Sequence, residues 1–545
     1  MKSSLFLLVI SCAISECSLD YHIVLEDYSA RRERIRRLTQ EQEISLSAEE
    51  TEKALGKMVK QGITSQVKTT LTESVFLVGF ALLLRAPNTV IGILAAIPSV
   101  TQLMQIPSIF LLEKYRNRRR LNIYTQLGNR LGILLMALIP FVAIGEIGLL
   151  FLIGAMFIQS AFTAIGSPSW NSWMRDLVPP DRLGHFFSTR MALMGLVAIV
   201  ASISGGYFIT NWLAATDPAN LSGQLQAYSV LYLIAFLFGM MAIYYTRTTP
   251  EPPMRTRHEE LSFSQLLAEP FQNKNYRNLM IFSVVWSLST SFSSPFFTVY
   301  LLNRLEQDVA VVAGLLALTQ LTSVIFLRLW GRLADRFSNK SILQVTLPLF
   351  IIGTFLWTFS SIAITYQFLI PLIIVIHVLN GFAAAGVNLS TNNIGLKLAP
   401  RGESATYLAA RGSVVAIAGS IAPVVAGILA DLFGHHTLEF TFSWYIDDQL
   451  FQLIPTYSIS GLDFLFIISA IIGIYAIHRI ALVKEEGEVD ERVVLDALLA
   501  ETRRNVRTVS TIDGLRQTFE APVKVAKRSR RPRKKEEREH PDIST

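Results

Sequence analysis

Along this chain the hydrophobic positions form long, nearly unbroken blocks rather than an alternating or one-faced pattern. From residue 67 onward, apolar segments of roughly 17 to 25 residues recur about twelve times, the length that carries a helix across a bilayer. They run near Val67 to Leu84, Val90 to Leu112, Leu121 to Ile144, Ile147 to Trp173, Phe187 to Leu213, Tyr228 to Tyr245, Leu279 to Leu302, Val309 to Leu329, Ile342 to Ile364, Phe368 to Leu398, Ser413 to Phe433 and Phe464 to Leu482. The blocks are too long and too evenly apolar for barrel strands, and every backbone group must be paired in lipid, so helices are the expected spanning form. The predicted fold is all-α: a polytopic membrane protein with twelve transmembrane helices.

Composition agrees. Of 545 residues, 51% are hydrophobic and 17% charged, and the mean hydropathy is +0.41. These values exclude an ordinary soluble domain and a disordered chain. The net charge of +7 does not describe a nucleic-acid surface, because Lys and Arg gather in short connections and at the two ends. Every second connection is basic: Lys114 to Arg120, Arg175 to His185, Arg247 to Arg277, Arg332 to Lys340 and Lys397 to Arg401. The opposite set contains only Arg85 and Arg304 among its basic residues, so both termini and the central linker are expected on the cytoplasmic side. The two cysteines, Cys12 and Cys17, lie ahead of the apolar body, which leaves that body without a disulfide, a Cys-based metal site or a Cys nucleophile.

The organisation expected is an N-terminal extension over 1–66, a six-helix bundle over 67–247, a linker over 248–278, a second six-helix bundle over 279–482 and a charged, disordered tail over 483–545. The first nineteen residues resemble a short secretory signal, but cleavage would place the charged stretch from Tyr21 to Lys60 on the outer face, against the loop charges. A start-site artefact or an apolar stub fits better, with Met58 a candidate later start. Ser47 and Glu50 form a capping-box pattern that would open a cytoplasmic helix to about Gln61, read either as amphipathic or as a solvated helix leading into the first span. The linker carries Pro250, Pro252 and Pro253 and a short amphipathic stretch from Leu261 to Phe271. The tail ends in a basic run, Lys527 to Lys535, that suits anionic headgroups or plain solvation.

Self-comparison at a shift of about 221 to 222 residues superposes several unrelated features. Glu113, Lys114, Tyr115, Asn117, Arg118 and Leu121 meet Asp335, Arg336, Phe337, Asn339, Lys340 and Leu343; Asn171, Pro179, Arg190 and Gly206 meet Asn392, Pro400, Arg411 and Gly427. Gly92 meets Gly314, and Gln159 meets Asn380. The loop Gly331-Arg332-Leu333-Ala334-Asp335-Arg336-Phe337-Ser338-Asn339-Lys340 is similar to a signature of the major facilitator superfamily, and residues 67 to 482 resemble that family as two parallel halves. Ser338 and Asn339 depart from its pattern. Gly419, Pro423 and Gly427 echo an antiporter motif, but in the eleventh span rather than the fifth, where Ser202 replaces Pro, so the case for export is poor.

The resemblance implies a latch: Asp335 against the start of the fifth span near Phe186 to Arg190, and Glu113 against the start of the eleventh near Ala405 to Arg411. A carboxylate there would satisfy orphan amides and the positive helix end. The gating set is Gly331, Leu333, Asp335, Arg336, Lys340, Glu113, Lys114, Arg118, Asp176, Arg190 and Arg411, with Asp176 a partner for Lys114 or Arg118. Lys397 stands where the second half would need an acid.

Polar groups within spans are expensive and nominate the pathway. The candidates are Glu73, Asn129, Arg130, Gln159, Trp170, Asn171, Trp286, Asn380, Asn388 and Asn392. Glu73, placed about two turns from the cytoplasmic end, reads either as a proton carrier or as an interfacial ion pair with Arg130. Trp170 and Trp173 share a helix face, as an interfacial belt or a stacking surface for a flat ligand. Asn388 and Asn392 suit a polar solute or helix-to-helix hydrogen bonds. His377 reads as a packed histidine, and His435 and His436 carry no metal site.

No phosphate loop, zinc-ligand spacing or nucleophile elbow occurs, so neither an enzyme nor a cofactor is expected. The function read from the sequence is a secondary transporter of the cell membrane that moves a small solute by alternating access, with protons as a candidate coupling ion. The competing reading is a non-transporting receptor or scaffold of the same fold, acting through its charged tails.

Overall fold

The computed structural model describes residues 47–179, 182–252, 269–360, 368–400, 404–440, 444–446, 449–451, 457–489 and 492–500. The apolar N-terminal stretch, residues 261–268 of the linker and the basic run near the C-terminus lie outside the described residues. Eleven described helices are long and apolar enough to cross a membrane. The first span is the twelfth. It is broken into α1 (Ala48–Thr72) and α2 (Val75–Leu83) and so does not register as one apolar helix.

The second span is α3 (Asn88–Gln102) followed by α4 (Gln105–Tyr115). The remaining spans of the first half are α5 (Arg118–Val142), α6 (Glu146–Leu177), α7 (Leu183–Ala215) and α8 (Leu221–Arg247). The second half comprises α9 (Lys274–Val299), α10 (Val309–Arg336), α11 (Asn339–Phe355), α12 (Leu369–Leu398), α13 (Ser404–Phe433) and α14 (Asp463–Ala481).

The capping box at Ser47 and Glu50 is present, with both reciprocal bonds formed. The helix that it opens does not stop at Gln61: it continues into the first span. Ala54, Leu55 and Met58 are buried against Trp173, Met174, Leu177, Val178 and Phe186, so residues 48–66 are continuous with the bundle rather than a solvated extension. The start of the tail is also folded. Residues 492–500 are helical, and Val494 is buried with Leu329, Trp330 and Leu333.

Between α13 and α14 the connection opposite the basic loops forms two antiparallel pairings, β1 (Thr437–Phe440) with β4 (Tyr457–Ser460) and β2 (Trp444–Ile446) with β3 (Gln449–Phe451). Asp463 anchors their base by accepting from Ser460 N at 3.1 Å and from the Tyr300 hydroxyl at 2.9 Å.

The cores show how the halves meet. One apolar cluster draws on both halves, from Phe80, Leu94 and Ile97 to Phe296, Val312 and Ala426. The clusters toward the basic loops each belong to a single half. Helix crossings fit this division. α3 packs on α13 and α7 on α10, where Gly92 lies against the Pro423 carbonyl and Gly206 against Ala310 and Ala313. A Cβ at Gly427 would come within 2.5 Å of the Asn88 carbonyl oxygen, so only glycine allows the backbones to approach this closely. The repeat-related residues Gly206 and Gly427 thus mark two of the places where the halves touch most closely. The protein is closed at the end opposite the basic loops and divided at the basic end.

Candidate functional site

The break in the first span falls at Glu73 and Ser74. Glu73 leaves the helix with extended backbone, and Ser74 takes φ 55°, a conformation that serine adopts at a cost. α2 is nine residues long, about 14 Å of rise, or half of a hydrocarbon core about 30 Å thick. From Glu73, α1 continues well past two turns toward the basic end, further than the apolar part of the span suggested. Glu73 is half-buried and Ser74 exposed.

A buried polar network converges on this break. Arg130 is 4% exposed and donates to Asn129 Oδ1 at 2.8 Å and to the Gly239 carbonyl at 3.1 Å. Asn129 donates to the Gln159 carbonyl at 3.0 Å and to Thr163 Oγ1 at 2.8 Å. Gln159 Nε2 reaches Thr72 Oγ1, the last residue before Glu73, at 3.3 Å, and Gln159 Oε1 is buried without a partner among the described residues. Four spans are tied together. Arg130 bonds to the sixth span, and the expected Arg130–Glu73 ion pair is not among the salt bridges. The sequence reading passed over Lys68, which is 5% exposed and lies within electrostatic reach of both Glu73 and Arg130. A lysine five residues before the sole mid-span acid was the available signal.

The remaining candidates do not join this cluster. Asn171 and its repeat partner Asn392 are exposed in their respective halves, as is Asn388. Trp286 packs edge-on against Phe350, and Asn380 Oδ1 is buried facing Gly353. His377 is buried, bonded to Thr319 Oγ1 at 2.7 Å and packed against Trp357. The two tryptophans of the fourth span form neither a belt nor a stacking platform. Trp173 is fully buried and donates to the Pro250 carbonyl at 3.1 Å, while Trp170 lies under the Arg190 guanidinium at 4.8 Å.

At the basic end, the gating residues bond within their own halves. Asp335 and Arg336 are exposed, and Arg336 stacks over Phe337. Arg190 donates to Gln61 Oε1 at 3.2 Å, and Arg411 donates to the Thr391 carbonyl at 2.6 Å. Lys114 is exposed; the Glu113 side chain lies outside the described residues. Gly331 is half-buried, and Leu333 is buried beside Trp330.

Two residues that the sequence assigned to linker and tail are central instead. Arg118 is fully buried between Asp176 and Glu251, and Glu251 accepts from the amides of Arg118 and Arg119 at 2.7 and 3.1 Å, capping α5. In the second half, Glu485 accepts from Lys340 N at 2.7 Å and Asn339 Nδ2 at 3.0 Å and pairs with Lys397 at 3.0 Å. Lys340 Nζ pairs with Glu488 at 2.7 Å. Each half therefore holds its third span by a carboxylate from the segment that follows its sixth. Asp176 and Lys397 are repeat-related with opposite sign: the first half has a cation between two acids, the second an acid shared between one cation and two amide donors.

Comparison with known proteins follows this architecture. The family model described as Major Facilitator Superfamily matches residues 65–423. No curated protein matches the chain in sequence. Among solved structures, the nucleoside transporter NupG is similar with 14% identity and a TM-score of 0.56, covering 80% of this chain and 100% of that one. A bacterial homologue of the iron transporter ferroportin in an inward-facing state shares 12% identity with a TM-score of 0.56, over 79% and 98% of the chains. A D-xylose–proton symporter shares 11% with a TM-score of 0.56, over 80% and 98%. At such identities these likenesses carry the fold alone. From the family match over most of its length and its two six-helix halves, the chain belongs to the Major Facilitator Superfamily and is a multi-pass membrane transporter.

Proposed function

We propose that the protein is a secondary active transporter that moves a small polar solute across the plasma membrane by alternating access, with protons as the coupling ion. Both termini and the basic loops face the cytoplasm in this reading. The observation that carries it is the division of the cores: one cluster shared by both halves at the outer end, separate clusters at the inner end. Such an arrangement supports a crevice open to the cytoplasm with the broken first span at its closed tip, since irregular backbone at membrane depth is tolerated where it lines a cavity or is buried in protein. Glu73 is the proton carrier in this scheme, and Asn171, Asn388 and Asn392 supply amides to the solute. The printed substrates of the similar structures, a nucleoside transporter and a D-xylose–proton symporter, make neutral polar solutes the first to screen. The described start of the tail folds back on its own half, which favours this reading over a scaffold that recruits partners through that segment.

The test has two steps. A thermal-shift screen against sugars, nucleosides, amino acids and organic acids selects a solute, and proteoliposomes then measure its uptake under an imposed proton gradient. Glu73→Gln is expected to abolish gradient-driven accumulation while keeping solute exchange. Unchanged pH dependence in that variant would remove Glu73 from the mechanism, and absence of flux for every stabilising solute would overturn the transporter reading.

A further inference from the structure

The two helices that start at the outer end next to the other half, α3 and α10, lack caps of their own. Pro87 precedes α3 and Asp308 precedes α10, and neither makes a side-chain cap hydrogen bond. First-turn amides left this way need partners. For both helices the partner comes from the opposite half. Asp431, near the end of α13, accepts from Asn88 N at 2.9 Å through Oδ1, and from Thr89 N at 2.8 Å and Thr89 Oγ1 at 2.6 Å through Oδ2. Thr210, near the end of α7, accepts from Ala310 N at 3.0 Å. Thr210 and Asp431 are separated by the repeat offset, as are the amides that they cap.

We propose that Asp431 and Thr210 form a duplicated outer latch: side chains that cap helices of the opposite half and whose hydrogen bonds break whenever the transporter opens to the outside. The proposal rests on the alternating-access reading. The two latches are unequal. Asp431 offers a charge to a positive helix end and takes three hydrogen bonds, whereas Thr210 offers one neutral oxygen, and charge-assisted bonds are the stronger kind. Asp431 therefore sets most of the bias toward the state closed outside, and the α7–α10 contact yields more easily. Close packing at Gly92, Gly206 and Gly427 and one hydrogen bond from Ser202 Oγ to the Ala313 carbonyl at 3.3 Å close the rest of this surface, with neutral contacts that yield at lower cost than a fixed carboxylate-to-amide set.

The experiment measures the separation of the halves without any solute. In a chain carrying Cys12→Ser and Cys17→Ser, spin labels on Ala219→Cys and Asn303→Cys report the distance across the outer end. The parent is expected to give a dominant short distance. Asp431→Ala should raise the long-distance fraction about tenfold, the effect of losing a charge-assisted bond set. Thr89→Val, which removes a single hydroxyl donor, should give a smaller shift in the same direction and decides the matter if Asp431→Ala does not fold. Thr210→Asp, which copies the stronger latch to the weaker site, should suppress the long distance. A carboxylate that is only structural would lower the thermal midpoint and leave the distances unchanged. Identical distributions for the parent, Asp431→Ala and Thr89→Val would overturn the latch even if solute flux stands, and a shifted distribution without flux would sustain it while the transport reading fails.

Discussion

Arg118 shows how a single residue's role depends on distant chain. Its guanidinium is fully buried and is held by Asp176, Glu251 and the carbonyls of Ser172 and Pro252. Removing one acid would leave a buried charge undercompensated, so Glu251→Ala should lower stability by about 3 kcal/mol, seen as a fall in thermal midpoint in detergent. Glu485→Ala should cost less, about 1 kcal/mol for the lost cap, because Lys397 is half exposed and Lys340 keeps Glu488, and the two losses should add because they lie in different halves. A change no larger than that of a surface substitution in either variant would show that the carboxylate caps contribute little. The Arg118–Asp176 pairing was readable from loop position and charge. Glu251 and Glu485 were not, because no local pattern marks an acid that caps a helix more than a hundred residues earlier in the chain. A smaller charge effect sits at Glu50, whose carboxylate lies below its ordinary value of 4.5 because it accepts the Ser47 amide and the Ser47 hydroxyl. The folded value is depressed, so the cap is complete above the ordinary value and is lost as pH falls through the lower folded one. Protection of the first α1 amides against hydrogen exchange, relative to their intrinsic rates, should therefore fall as pH drops below the ordinary carboxylate range, and Glu50→Gln should remove that dependence.

At the scale of elements, all twelve spans were legible because a long apolar block has one outcome in lipid. The break within the first was not. That span's uninterrupted apolar part, Val75 to Leu84, is ten residues, about 15 Å as a helix and half of what a bilayer requires. The polar turn ahead of it, from Lys68 to Ser74, held the missing information: these residues are tolerated because α1 is packed against the fifth and sixth spans rather than set in lipid. Without Gly or Pro at the break, local signals suggested no interruption. Ser74 pays for that with its positive φ, so Ser74→Gly should keep the fold and raise stability by about 1 kcal/mol, whereas Ser74→Pro, whose ring fixes φ near −65°, should prevent folding. A loss of stability in Ser74→Gly would mean that its hydroxyl, not its backbone, matters. The strand pairings between α13 and α14 were missed for a different reason. Thr437 to Phe440 alternates polar and apolar residues, a strand period, but four residues are a weak signal inside a connection read only for charge.

For the whole molecule, the internal repeat was the most informative feature of the sequence, and its glycines carry a physical explanation: Gly206 and Gly427 are conserved between the halves where backbones cross at contact distance. Under the proposed alternating-access reading, the latch implied by the loop motif belongs to the state closed at the basic end. Asp335 is exposed, and Arg190 and Arg411 bond inside their own halves, as expected of an end that is divided. Two states of one rigid pair share a single equilibrium, so weakening the outer latch must populate closure at the inner end by the same factor. A cysteine pair at Asp335→Cys and Ser188→Cys, in the chain lacking Cys12 and Cys17, should cross-link slowly in the parent. Asp431→Ala should accelerate it about tenfold if the halves move as bodies. Cross-linking indifferent to position 431 would show that the two ends open independently, and rocking of intact halves would then have to give way to local bending within α7 and α10.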